Sequence, residues 1–151
     1  SIQISYTDMT ADTAFLTDYL RNHGVRPSAQ RIAIMRYMVE RHGHPTADEI
    51  HAALVKEMPT LSRTTVYNTL WLLVENNALM SLDIDREYVR FDYATRPHAH
   101  FMCRRCGALS DIDFDPGSIR VDIGTDIAVE QVSVNYRGLC RECSRYSRQR
   151  N

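Results

Sequence analysis

Ser62-Arg63-Thr64-Thr65-Val66-Tyr67-Asn68-Thr69-Leu70 is the stretch on which the fold turns. Ser62 suits a helix N-cap, and Val66, Leu70, Leu73 and Val74 recur at i, i+4, i+7 and i+8 before Asn76-Asn77 closes the run. That is one apolar face of a helix. The polar residues of its first turns (Arg, Asn, Ser and Thr) are types that read base edges or hold phosphates. A solvated helix face has the same composition.

Beyond Asn77 the period changes from helical to two. Leu79 to Ile84 and Tyr88 to Tyr93 read as a hairpin around Asp85-Arg86-Glu87, with Val89, Phe91 and Tyr93 on one side and Arg90 and Asp92 on the other. Upstream lie three more helices. Thr10 is placed to cap the first, whose Phe15, Leu16, Tyr19 and Leu20 share a face and whose stop is Gly24. Arg26-Pro27-Ser28 opens the second, with Ile32, Met35 and Val39 inward, and Gly43-His44-Pro45 breaks it. Thr46-Ala47-Asp48-Glu49 is a capping-box pattern, starting a third helix that turns Ile50, Ala53 and Leu54 inward and ends before Pro59. Helices followed by a two-stranded hairpin are the order of a winged helix-turn-helix, so residues 1–93 are expected to form such a domain. Another small α+β domain is the alternative.

Residues 94–97 (Ala-Thr-Arg-Pro) read as a hinge, and 98–151 as a second, smaller domain. Strands are expected at Ala99–Met102, Ala108–Phe114 and around Val132, Val134 and Tyr136. Ile119, Val121 and Ile123 alternate in an otherwise ambiguous 115–130 stretch, and the Arg-rich tail from Ser144 reads as frayed. This part holds every cysteine of the chain: Cys103-Arg-Arg-Cys106 and Cys140-Arg-Glu-Cys143. One C-x-x-C favours redox chemistry, whereas two favour a tetrahedral thiolate site for zinc. Gly107 permits the tight turn after the first pair. A structural metal would supply folding energy to a domain with a limited core. A dithiol redox centre and simple buried thiols are the alternatives.

His98 and His100 lie two apart on an expected strand and so share a face. Imidazole suits zinc or iron(II), and Asp92, Asp111 and His44 are placed to join them. Two surface histidines are the plainer reading of that pair. His23, His42 and His51 show no partner pattern and read as surface or capping residues.

Composition narrows the field. The 151 residues are 44% hydrophobic, as expected for a globular chain, and no run approaches a membrane span. No basic region followed by a long apolar one opens the sequence, so a cytoplasmic location is expected, where paired cysteines more often hold metal than form disulfides. The formal net charge is −1, with nine Arg/Lys against twelve Asp/Glu in residues 1–93 and nine against seven in the remainder. Bulk charge therefore gives no sign of a nucleic-acid partner, and any such reading must rest on local pattern.

Six motifs together resemble the ferric uptake regulator (Fur) family of bacterial metal-dependent repressors. They are His44-Pro45-Thr46-Ala47-Asp48, Ser62 to Leu70, Arg90-Phe91-Asp92, His98-Ala99-His100 and the two cysteine pairs, in the family's order over roughly residues 10–145. The resemblance implies an N-terminal winged helix and a small C-terminal α/β dimerisation domain. It implies structural zinc on Cys103, Cys106, Cys140 and Cys143. It also implies a regulatory Fe(II) or Mn(II) on His44, Asp92, His98, His100 and Asp111. The partners would be a second copy of the chain and a palindromic double-stranded DNA operator. DNA contacts would come from Tyr67 and Asn68, with Ser62, Arg63, Thr64 and Thr65 nearby and Arg26 reaching toward the minor groove. Metal binding would fix the angle between the domains and so the spacing of the recognition helices.

Within the family, the peroxide-sensing repressors (PerR) look closest, because aspartates stand at 92 and 111 where iron sensors usually carry glutamate. No histidine follows His100, which argues for two metals per subunit. In that branch a ligand histidine is oxidised, here His44 or His98. An iron- or zinc-uptake regulator is the second reading. A zinc enzyme or a dithiol oxidoreductase is more distant, since there is no helical H-E-x-x-H and no evident pocket-forming loop. Two departures stand out: a short, weakly helical 115–130 stretch and a net-acidic DNA half.

Overall fold

The computed structural model describes residues 11–41, 43–93 and 97–148. The chain divides into two units, residues 1–93 and 94–151. The two are described separately.

The first unit runs α1 (Thr13–Asn22), α2 (Ala29–Glu40), α3 (Ala47–Leu54), α4 (Arg63–Glu75), β1 (Met80–Leu82) and β2 (Arg90–Asp92). Each helix begins on an oxygen-bearing side chain that accepts an otherwise orphaned amide. Asp12 accepts from the Phe15 N–H at 2.6 Å, Ser28 from that of Arg31 at 3.3 Å, and Ser62 from that of Thr65 at 3.0 Å. Thr46 and Glu49 form a reciprocal capping box, in which the Glu49 carboxylate accepts from the Thr46 N–H at 2.8 Å. The cap of α1 is thus Asp12; the expected Thr10 lies outside the described residues. Gly24, at φ +73, ends the turn after α1 in the left-handed region open to glycine.

The core of this unit gathers Leu16 and Leu20 of α1, Ile34, Met35 and Met38 of α2, Ile50 of α3, and Val66, Leu70 and Leu73 of α4, capped by Phe91 of β2. On α2 the buried face is Ile34-Met35-Met38 rather than Ile32-Met35-Val39; those two flank it, partly buried. The hairpin is shorter than expected. β1 and β2 pair antiparallel with Met80 opposite Asp92 and Leu82 opposite Arg90, while Tyr88 and Val89 are exposed outside the ladder. Thr46 bridges to Arg90, and the Phe91 N–H donates to the Pro45 carbonyl at 3.0 Å. The segment entering α3 is thereby laid against β2. Four helices and this wing form the winged helix-turn-helix.

The second unit is a three-stranded sheet in the order β4-β3-β5, from β3 (His98–Cys103), β4 (Leu109–Asp113) and β5 (Asn135–Gly138), followed by α5 (Arg141–Arg148). β4 is antiparallel to β3, placing Asp111 opposite His100 and Asp113 opposite His98. β5 runs parallel to β3, with Gly138 opposite Cys103. The third strand begins at Asn135, not Val132, because its register is set by bringing the second cysteine pair beside the first. Residues 144–148 are not frayed but continue α5 to Arg148, and residues 149–151 lie outside the described residues. Between β4 and β5 the chain holds one 3₁₀ turn, Pro116–Ser118, and exposed Ile119, Val121, Ile123, Ile127, Val129 and Val132. The alternation of Ile119, Val121 and Ile123 forms no strand. Among the described residues no helix is long and apolar enough to cross a membrane.

Candidate functional site

Three sets of residues carry chemistry. The first is the sulfur cluster of the second unit. β3 delivers Cys103 at its end, and the turn after it closes through the Gly107 N–H on the Cys103 carbonyl at 2.9 Å. Gly107 sits at φ +74, where an L side chain is strained. The second pair arrives from β5, held by the Arg104 N–H on the Gly138 carbonyl at 2.8 Å. α5 then starts inside the motif and carries Cys143 in its first turn. The four thiols are free, and their sulfurs lie within 4.8 Å of one another.

Cys106 Sγ and Cys140 Sγ are 3.9 Å apart. A tetrahedral ion with metal–sulfur bonds of about 2.3 Å needs sulfurs about 3.8 Å apart, so the donor set fits zinc. Amide donors already favour a thiolate here. The Cys106 and Cys140 N–H groups hold the Cys103 thiol down at about 6, and the Cys140 N–H···Sγ distance is 3.3 Å. Its neighbours move the other way: hydrogen bonding with Cys140, and then burial, push Cys143 up to about 12. Cys103 thus favours the thiolate while Cys106 and Cys143 are pushed toward the thiol, and a divalent cation would bind all four as thiolates.

The second set sits on the β3–β4 pair. The His98 and His100 rings stack edge to face with centroids 4.6 Å apart. Both Nε2 atoms approach one oxygen of Asp111, at 3.6 Å from His98 and 3.7 Å from His100. His100 is buried, His98 nearly so, and the Asp111 side chain is 55% exposed. Two imidazoles and a carboxylate converging from adjacent strands make a ligand set of intermediate hardness, suited to iron(II), manganese(II) or zinc. In the first unit, His44 and Asp92 are brought near one another by the backbone bonds joining residues 45–46 to β2, and Asp92 is buried.

The third set is the α4 face. Arg63, Thr64, Tyr67 and Asn68 are exposed, as is Arg26 ahead of α2. Ser62 and Thr65 are committed to the cap, their hydroxyls 2.8 Å apart. Arg63 lies 3.4 Å from Asp48 of α3, both well exposed. Beside them a cleft of about 410 Å³ is lined by Thr46, Asp48, Arg63, Tyr67, Tyr88 and Phe91 among others. The sequence offered no sign of this cleft. His51, read as a surface or capping residue, instead ties α3 to the carbonyl of Leu61 at 2.9 Å. His23 does cap α1, its Nδ1 2.8 Å from the Tyr19 carbonyl, and His42 lies outside the described residues.

A winged helix with a polar recognition face, joined in sequence to a sheet bearing a tetrathiolate cluster and a His-Asp set, defines a metal-responsive transcription regulator. The chain belongs to the ferric uptake regulator family: the description of that family matches residues 22–132. Among curated proteins it is 37% identical to the peroxide-responsive repressor PerR of Staphylococcus epidermidis over 82% of this chain and 85% of that one. It is 35% identical to PerR of Staphylococcus aureus over 82% and 86%. Solved structures share the fold. The Francisella tularensis ferric uptake regulator with iron gives a TM-score of 0.65 at 20% identity, covering 80% of this chain and 96% of that one. The Campylobacter jejuni peroxide stress regulator gives 0.64 at 24% identity, covering 86% and 97%.

Proposed function

We propose that this protein is a metal-dependent, DNA-binding transcriptional repressor that senses peroxide. The observation that carries the reading is the pairing of His98 and His100 with Asp111 on adjacent strands, three residues from the cysteine cluster, in a chain whose curated relatives are peroxide-responsive repressors. Cys103, Cys106, Cys140 and Cys143 would hold structural zinc. His98, His100 and Asp111 would hold the regulatory ion together with His44 and Asp92 from the winged helix. The protein acts by occupancy rather than by turnover and is not an enzyme. It works as a cytoplasmic homodimer on a palindromic operator.

The chain's residues divide the work. Asp92 and Asp111 supply negative charge that favours a divalent cation, and the imidazoles bind through neutral nitrogens. Drawing ligands from both units into one sphere would restrict their relative orientation and so the separation of two α4 helices in a dimer. On each half-site Tyr67 and Asn68 would face bases, while Arg63, Thr64 and Arg26 would meet the backbone or minor groove. Held there, Fe(II) would supply the electron that cleaves the peroxide O–O bond, leaving one oxygen for a neighbouring imidazole and the other to depart as water. His44 and His98 are the expected targets. Oxidation of either would weaken the donor set, lower affinity for the ion and so lower affinity for the operator.

The test is aerobic peroxide treatment of the Fe(II) form, followed by peptide mass analysis. A gain of one oxygen on a peptide containing His44 or His98, with the cysteines unmodified, is expected. Oxidation of the cysteines alone overturns the sensing assignment. Operator binding restored by Fe(II) or Mn(II), measured on anaerobic protein, separates this reading from a zinc-uptake regulator.

A further inference from the structure

β2 is only three residues long, and its side chains serve three different parts of the winged helix. Asp92 is buried beside the His44 segment. Phe91 packs edge-on against Trp71 at 5.7 Å, and Trp71 against Tyr67 of the recognition face at 6.3 Å. Arg90 binds in three directions. Its Nε donates to Asp85 Oδ2 in the wing turn at 3.0 Å, and its Nη1 donates to the His44 carbonyl at 2.9 Å. The same Nη1 lies 3.9 Å from the Glu49 carboxylate of the α3 capping box. The side chains of Arg90 and Asp85 are 24% and 15% exposed, so this is a partly buried junction rather than a solvated surface pair.

We propose that Arg90 is a positioning residue that couples the metal ligands His44 and Asp92 to the shape of the wing, and through it to operator affinity. This rests on the regulatory-metal reading above. The guanidinium is a rigid planar fork, so moving one acceptor moves the other. One arm holds the backbone of His44. That backbone is laid on β2 through the Phe91 N–H and the Thr46–Arg90 bridge. An ion drawing the His44 imidazole and the Asp92 carboxylate together therefore acts on the segment that Arg90 holds. The other arm grips Asp85, whose second oxygen accepts the Glu87 N–H at 3.0 Å and shapes the turn before Tyr88 and Val89. A lysine offers a single flexible point charge and cannot hold both acceptors at a fixed angle.

The coupling is the factor by which Mn(II) raises operator affinity, which by linkage equals the factor by which operator raises Mn(II) affinity. Both are measured on zinc-loaded, full-length Arg90→Lys, Arg90→Gln and Asp85→Asn proteins, by anisotropy of labelled operator and by Mn(II) titration with and without DNA. In Asp85→Asn the coupling is expected to fall about ten-fold while the Mn(II) affinity without DNA changes less. Arg90→Gln should lose both, and Arg90→Lys should recover Mn(II) affinity in part without recovering the coupling. Wild-type coupling in Asp85→Asn and Arg90→Lys overturns the role of Arg90, and Asp85→Asn carries the test if Arg90→Gln does not fold. If Mn(II) leaves operator binding by the unaltered protein unchanged, the regulatory-metal reading itself fails and the proposal falls with it.

Discussion

Asp48→Asn should make the protein bind DNA more tightly while making it slightly less stable. Asp48 stands in the first turn of α3 and lies 3.4 Å from Arg63 at the start of α4. Both side chains are strongly exposed, at 75% for Arg63 and 68% for Asp48, so the pair contributes about 0.5 kcal/mol or less to folding. The aspartate also complements the positive end of the α3 dipole, worth about 0.5 kcal/mol. Its neutralisation should therefore lower stability by about 1 kcal/mol at most. On the DNA side the signs reverse. A phosphate about 8 Å from a carboxylate in water is repelled by about 0.5 kcal/mol. Removing that charge gives roughly a two-fold gain per half-site, or about five-fold for a dimer on two. Arg63, freed from Asp48 to hold its phosphate more fully, should steepen the slope of log K against log salt by at most about 0.9 per half-site. Anisotropy titrations of Mn(II)-loaded protein over a salt series read both quantities. Equal affinity and equal slope for the variant and the parent would refute the idea that Asp48 holds Arg63 back. The net-acidic first unit would then need another explanation for its binding to DNA.

Other outcomes follow from the same geometry. Tyr19 donates to the Ala78 carbonyl at 2.8 Å, and burial pushes its phenol up to about 12 from 10.0. The unfolded chain ionises first, so the stability that Tyr19 contributes is present below pH 10 and is lost as pH rises toward 12. A denaturation series over that range should show the loss, and Tyr19→Phe should remove it. Cys140→Ala should reduce zinc content, measured by elemental analysis, from one per chain to near none. Gly107→Ala meets no atom within 4 Å of the added Cβ. Its cost should therefore be the left-handed backbone alone, about 1 kcal/mol in a zinc-loaded melt. Trp71, the chain's single tryptophan, lies between Tyr67 and Phe91, so operator binding should shift its emission, and Tyr67→Phe should reduce that shift.

What could be read in the sequence was local. The caps at Ser62 and Thr46 and the two cysteine pairs are each defined within four residues, and each forms as its spacing requires. What could not be read depends on partners distant in the chain. Val132, Val134 and Tyr136 alternate well, yet the strand lies at Asn135–Gly138, because parallel pairing with β3 and delivery of Cys140 set the register. The α5 helix is hard to read because it starts inside the metal knuckle and its cysteine and serines have only modest helical preference. The closeness of Asp111 to both imidazoles follows from the β3–β4 register, which no pattern within either strand reveals. Arg90 reads in sequence as a polar wing residue; its two hydrogen-bond acceptors and its ion-pair partner come from three segments.

The odd spacing between His100 and Cys103 has one further consequence. On a strand, alternate residues face opposite sides, so His98 and His100 share one face of β3 while Cys103 points to the other. Three residues of strand also separate them by about 10 Å. A short-lived oxidant generated at the imidazoles would spend itself on its neighbours on that face before reaching the Cys103 thiol. If the imidazoles are where peroxide acts, as proposed, β3 works as insulation: it turns Cys103 away from the face on which the oxidation would occur.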